Sequence, residues 1–181
     1  MAKTEMTKRL EELLAAHFKP NNDYYVFECT LGWNGEEIVD CVMYNCQREV
    51  YCFEIKQSVS DFHSKAHLSF FGNKNYFVMP LELYEKIKDE IPKDIGVYVA
   101  IDHLEEKAKK NENGWTSHWA EPVAGDKYLW CVKHARSRLL RADKEIILSS
   151  MLRSALSPRV SNGIGSKDEL EQAQLLFGEG T

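Results

Sequence analysis

No run of apolar residues in this chain approaches the roughly 20 needed to cross a bilayer as a helix. The opening residues, MAKTEMTKRLEELL, lack the apolar block of a secretion signal and form a charged amphipathic segment instead. A cytoplasmic protein is therefore expected. Paired cysteines are also missing. The five cysteines, Cys29, Cys41, Cys46, Cys52 and Cys131, include no CxxC pair. An odd count without a secretion signal argues for reduced thiols, and the scattered spacing argues against structural zinc. An excess of positive charge is lacking too. The net charge of −5 speaks against a protein that is basic overall, as many nucleic-acid binders are. There is no internal repeat.

What is present suits one folded unit. Among 181 residues, 44% are hydrophobic and 28% charged, which is enough apolar material for a single core. The expected division is a domain over residues 1–157 and a flexible linker with a short C-terminal helix or tail over 158–181. Charge is unevenly spread. Lys133, His134, Arg136, Arg138, Arg141 and Lys144 crowd one short segment, which suggests a local basic surface hidden by the global sum.

Hydrophobic periodicity predicts a helix from Thr4 to Phe18 and strands over Tyr24–Leu31, Ile38–Tyr44 and Glu49–Lys56. A turn is expected at 32–35. The short polar link 45–48 predicts an antiparallel hairpin between the second and third strands. A helix capped by Ser58 is expected to run to about Phe71, with Gly72 ending it. Further expectations are a strand over Tyr76–Met79, a helix over Leu81–Glu90 and a strand over Ile95–Ile101. An irregular stretch follows from Asp102 to Lys127, then a strand over Tyr128–Lys133 and a long helix over Ser137–Leu156. Mixed strands with interleaved helices predict an α/β fold with a mixed sheet flanked by helices.

The segment EEIVDCVMYNCQREVYCFEIKQSVSDF carries the candidate chemistry. Strand periodicity sets Glu54 and Lys56 on one face and Tyr51, Phe53 and Ile55 on the apolar other. Counting back through the hairpin turn sets Asp40 roughly opposite Glu54. Two carboxylates that close repel each other, and burying them is costly without a compensating cation. Lys56 supplies one positive charge. A divalent ion supplies more, since Mg²⁺ is commonly held by one or two carboxylates plus water and phosphate oxygens. Lys56 is placed to orient or deprotonate an attacking water. The plainer alternative is a salt bridge of Lys56 with Asp40 or Glu54 on a half-exposed strand.

Asp40 followed by Glu54-Ile55-Lys56, after a helix bearing an acid, resembles the PD-(D/E)XK nuclease superfamily. Within it, FEIKQSVSDFHSK, NKNYFVMP and IPKDIGVYVA resemble the MmcB-like group of DNA-repair proteins. The likeness spans about Glu11 to Lys133, and Val39 stands where the motif's name has proline. The resemblance implies a restriction-endonuclease-like core and a metal-dependent endonuclease or exonuclease acting on DNA, in repair or a mobile-element context. It implies a Mg²⁺ or Mn²⁺ site at Asp40 and Glu54, joined by Ile55, which can offer only backbone oxygen. It implies Lys56 as the catalytic lysine. Glu11, on the flank of the apolar stripe, is preferred over Glu12 as the helix acid, and Gln57 is placed to bind phosphate or water. The alternative of a different kind is a nuclease-fold protein that binds DNA or a protein partner without cutting.

Other residues invite weaker readings. Ser58, Ser60, Asp61, His63 and Lys65 stand where the helix after the motif begins, either facing a phosphate backbone or simply capping. His63 and His67 share a helical face but lack a third ligand. Trp115, His118 and Trp119 either stack on unpaired bases or close over a core edge. The basic run 133–144 either grips phosphates or forms a solvated helix face. Leu175, Leu176 and Phe177 are candidates for docking on a second copy as a homodimer.

Overall fold

In a computed structural model, which describes residues 3–18, 23–31, 37–64, 70–113 and 115–156, three strands follow one helix. Helix α1 spans Glu5–Phe18, and strands β1, β2 and β3 span Tyr24–Leu31, Glu37–Tyr44 and Val50–Ile55. The predicted hairpin between β2 and β3 is there, pairing Tyr44 with Val50 and Cys41 with Phe53. Its loop is held by Asn45, whose carbonyl accepts from Arg48 N and whose side chain accepts from Glu49 N. Arg48 takes φ 64°, a left-handed turn conformation.

A short helix α2 (Val59–Phe62) leads to strand β4 (Lys74–Pro80), helix α3 (Leu81–Ile87), the long strands β5 (Gly96–Lys110) and β6 (Thr116–Lys133), and helix α4 (Lys144–Ala155). The six strands lie in sequence order. β3, β4 and β5 run parallel, while β1–β2, β2–β3 and β5–β6 are antiparallel. The fold is α/β, with a mixed six-stranded sheet covered on both faces.

Each face has its own apolar contacts. Leu10, Leu13, Leu14 and Phe18 of α1 pack on Phe27, Met43, Phe53, Ile55 and Tyr76. The opposite face carries two clusters. Ile87 and Leu83 of α3 cover Phe77, Met79 and Val99, and Ile147 and Met151 of α4 cover Val26, Val39, Val42 and Cys52. Three of the five cysteines, Cys29, Cys41 and Cys52, are buried and free. Burial pushes the Cys52 thiol up to about 12, so it behaves as a small apolar side chain.

Several expectations need correction. Residues 102–127 are not irregular. They complete a β5–β6 ribbon whose ladder runs from Ile101–Ala124 to Lys110–Thr116. Both of its faces are solvated, so the apolar alternation that marks a packed strand is missing. The helix expected over 137–156 starts only at Lys144, capped by Asp143, whose carboxylate accepts from Glu145 N and Ile146 N. The preceding residues instead run as an extended strap. Helix α2 is four residues long, and the predicted extension over 65–69, with Lys65 and His67, lies outside the described residues. The same is true of the turn at 32–35, the linker and tail of 158–181, and Leu175, Leu176 and Phe177.

Candidate active site

The geometry begins with an interruption in β1. Glu28 adopts φ 51° in the middle of that strand. Phe27 faces α1, yet Cys29, two residues on, faces α4. In an unbroken strand they would share a face. The partner strand reverses at the same level, since Cys41 faces α1 and Val39 faces α4. The pairs Phe27–Cys41 and Cys29–Val39 flank the irregularity, so Glu28 and Asp40 occupy it together.

The same point is where β2 leaves β3. Pairing of the two ends at Cys41–Phe53, and the next step of that register sets Asp40 against Glu54. There the Asp40 side chain takes the place of a backbone carbonyl, with Oδ2 accepting from Ile55 N at 2.7 Å. That bond fixes the carboxylate at the fork between the strands. On the other side of β3, Lys56 N donates to Val78 O at 2.9 Å, which ties the lysine's backbone to β4. Glu54 and Lys56 are each only 5% exposed, at the C-terminal end of β3. Cys52 faces away from Phe53 and Ile55, and strand alternation carries Glu54 to the face of Cys52 with Lys56 just past the strand end.

Around this fork lie further charges. Lys56 Nζ is 3.9 Å from Asp61 Oδ1, and the other Asp61 oxygen accepts from Gln57 N at 3.0 Å. Ser58 caps α2 by accepting from Asp61 N, so of the two readings of Ser58 capping is the one seen. The Gln57 side-chain oxygen accepts from the Thr4 hydroxyl. Lys3 bridges Glu11 at 2.6 Å and Glu28 at 2.7 Å. Glu12 points outward to Arg9 at 2.9 Å, so Glu11 is the helix acid turned inward. Lys3, Glu28 and the second role of Asp61 were not anticipated. A lone acid in the otherwise apolar YYVFECTL was the available signal for Glu28.

The electrostatics follow from burial. Loss of water raises the Asp40 carboxyl above its ordinary value. The Ile55 N–H, Lys56 and Lys3 oppose this, and Asp61 adds to it. Burial also raises Glu11, opposed by its bond to Lys3 and reinforced by Glu28 and Asp40. Both carboxyls thus hold protons more tightly in the folded chain than in the unfolded one. Their contribution to stability is full below the ordinary carboxylate range and is lost as pH rises through the elevated folded values.

Asp40→Asn is therefore expected to raise the melting temperature at neutral pH by about 2–4 °C, the equivalent of roughly 1 kcal/mol in a chain this size. The amide oxygen still accepts from Ile55 N–H while the costly charge is gone. The gain should shrink as the solution is acidified, because wild-type Asp40 takes up its proton at a pH above the ordinary aspartate value. A variant that melts below wild type at neutral pH would contradict the charge argument.

The donors are hard oxygens, which suits Mg²⁺ or Mn²⁺ better than a softer metal. One Asp40 oxygen is already committed to Ile55 N–H, which leaves the other, Glu54 and the Ile55 backbone oxygen as the implied ligand set. Among the described residues no group of three or more His, Cys, Asp and Glu side chains converges closely enough to hold an ion by itself. An ion here would rely on backbone, water and phosphate oxygens for the rest of its shell. That matches how Mg²⁺ is usually held.

The other sequence candidates lie elsewhere. Trp115 and Trp119 sit on the solvated ribbon and cover no core edge. His63 bonds Glu90 at 2.7 Å. The basic run reaches a helix only at Lys144, the first residue of α4, and it lies away from the fork. Lys133 Nζ donates to Ile91 O and Pro92 O, Arg138 binds the carbonyls of Phe70 and Gly72, and Lys144 Nζ donates to Arg48 O. These carbonyls sit by the N-terminal ends of β4 and β5 and at the β2–β3 turn, opposite the end that holds Glu54 and Lys56.

No protein-family model matches the chain, and no curated protein matches its sequence. Among solved structures it is similar to the SPO1766 protein of unknown function from Silicibacter pomeroyi, with a TM-score of 0.59 and 15% sequence identity. The match covers 99% of this chain and 97% of that one. The likeness is one of fold. Among the described residues, no helix is long and apolar enough to cross a membrane.

Proposed function

We propose that this protein is a metal-dependent nuclease that hydrolyses DNA phosphodiester bonds in the cytoplasm, in a repair or mobile-element setting. The observation that carries the reading is the fork itself. Asp40 is pinned by the Ile55 N–H where β2 parts from β3, Lys56 acts on its charge, and the register carries Glu54 to the same level. Burying this many charges weakens a fold unless something is gained from it. A fixed ligand set for a cation and a phosphate is such a gain.

In this reading Asp40 and Glu54, with the Ile55 carbonyl, hold Mg²⁺ or Mn²⁺. The ion would supply an activated water and offset charge on the phosphoryl group. Lys56 orients the attacking water and balances charge on the phosphate, while Asp61 and the backbone bond to Val78 hold the lysine in place. Glu11 completes the acidic wall from α1, with Lys3 moderating its charge. Gln57, tethered by Thr4, faces the same end and can donate to a phosphate oxygen.

The test is a panel of single-stranded, duplex, flap and junction DNAs incubated with Mg²⁺ or Mn²⁺, wild type beside Asp40→Ala. Cleavage that needs the ion and vanishes in the variant is expected. The same ion should also raise the melting temperature of wild type alone. DNA binding that survives the substitution, with no cleavage in either protein, would instead mean a nuclease fold that binds without cutting.

A further inference from the structure

The β5–β6 ribbon is the largest feature that the site does not use. Strand β5 is parallel to β3 and β4, and Val78 of β4 pairs with both Ile55 and Tyr98. Pairing with β4 ends at Pro80–Ala100, yet β5 runs on to Lys110. The ribbon therefore leaves the sheet at the end that carries Glu54 and Lys56. It springs from two strands away, about 10 Å at the usual strand spacing. Its nine residues from Asp102 to Lys110 extend it by about 30 Å.

The base of the ribbon is anchored to the site. Arg9 of α1 donates to the Asp126 carbonyl at 2.8 Å and pairs with its carboxylate at 3.3 Å, two residues from Glu11. Gly125 permits close strand approach there, since a Cβ would lie 2.8 Å from Asp102 N. Lys127 pairs with Asp102 at 2.7 Å and braces the same corner.

The distal part has a distinct chemistry. From 107 to 119 it holds Lys107, Lys109 and Lys110 against one acid, Glu112. Trp115 is 77% exposed at the turn and Trp119 is 42% exposed on β6. Lys107 pairs across the ribbon with Trp119, and Lys109 with Ser117, so all four share one face. Glu105 pairs with Lys107 at 2.7 Å and Glu121 accepts from Trp119 Nε1 at 2.8 Å, which steadies the two side chains from the acidic base. An exposed pair of that kind is weak and exchanges readily for a phosphate. Among the described residues Lys109 and Lys110 have no ionic partner. An indole in solvent, flanked by ammonium groups on a hydrogen-bonded ribbon, matches a base that stacks and phosphates that pair.

We propose that the Lys107, Lys109 and Trp119 face of the ribbon binds the unpaired strand of a DNA whose scissile phosphate lies at the fork. This rests on the nuclease reading for the position of the cut but not for the binding itself. The substrate class that follows is DNA with a single-stranded segment beside the cleavage point. Blunt duplex offers no exposed base faces to Trp119.

The test measures binding without divalent ion, so that cutting plays no part. Fluorescence anisotropy with a single-stranded oligonucleotide, a duplex with an overhang and a blunt duplex is run on the full chain. The expected order places both single-stranded forms well ahead of the blunt duplex. Trp119→Ala should weaken them about tenfold or more. Lys107→Gln with Lys109→Gln should flatten the plot of log affinity against log salt by about 1.4, two phosphate contacts on a single strand. Lys86→Gln with Lys93→Gln, exposed on and after α3, should change neither.

Equal affinity of wild type and the ribbon variants, or equal binding of blunt duplex, overturns the proposal. So does a result in which Trp119→Ala turns a dimer into a monomer by sedimentation while DNA affinity holds, since the ribbon would then be a contact between copies. Failure of the nuclease reading has a different signature, with ribbon-dependent binding intact and no cleavage under any ion.

Discussion

Lys56→Ala is expected to lower DNA cleavage by about 10²–10⁴-fold, the usual contribution of a positioned proton-transfer group. The lysine is 5% exposed, so truncation to alanine also removes buried stem and loosens packing. Lys56→Met separates the two effects, because it keeps most of the aliphatic length without the charge. Lys56→Met should melt close to wild type and be as inactive as Lys56→Ala. A second signature comes from Asp40. Lys56 is among the charges that hold the Asp40 carboxyl down against burial. Without it Asp40 ionises only at higher pH, so the acidic limb of any residual activity should move upward. Lys56→Met cutting at the wild-type rate would mean that the activity came from elsewhere.

The centre of this fold is legible in the sequence because its strands are packed on both sides. VYCFEI is buried at five of six positions, and the residues that break its apolar run are the ones with chemistry. Glu54 and Lys56 stand out because a covered strand has no other reason to hold them. Asp40 stands out once the hairpin is counted back from 45–48. The reversal at Glu28 is not legible in this way. A residue with φ 51° changes which face each neighbour takes, and nothing in YYVFECTL announces it beyond one acid.

The ribbon and the strap were hidden for opposite reasons. A ribbon wet on both faces has no apolar period to read. The strap is dense in cations, which from sequence suggests a surface that grips phosphate. Three of its cations, Lys133, Arg138 and Lys144, are spent on carbonyls instead. Arg136 N and Arg138 N also bond Asp94 O and Asn73 O, so the strap is stitched along the sheet end rather than laid on a helix. Charge counted along a chain does not distinguish a cation aimed outward from one that closes a loop. The location does, and these sit at the end of β4 and β5 away from Glu54.

Phe53→Ala is expected to cost about 3–5 kcal/mol, the range for a large aromatic removed from a core. Phe53 is 1% exposed and is the residue before Glu54. Its ring lies 5.5 Å from Tyr76 at an interplanar angle of 15°, 5.2 Å from Phe18 of α1 and 6.2 Å from Tyr98. It therefore joins β3 to its neighbours and to the helix that carries Glu11. Single domains are stable by only about 5–15 kcal/mol, so this one change consumes a large share of the margin. Phe53→Leu, nearer in volume, should cost well under half as much, and Tyr24→Ala, at a strand position 75% exposed, within about 0.5 kcal/mol. Urea melts of the three variants check the order. The functional consequence follows from position. Phe53 touches Phe18 of α1 from beneath, so Phe53→Leu should lose cleavage out of proportion to its stability if Glu11 and Glu54 act together. A loss below 1 kcal/mol for Phe53→Ala would mean that α1 is held to the sheet by something other than this aromatic cluster, and the placement of Glu11 would lose its physical basis.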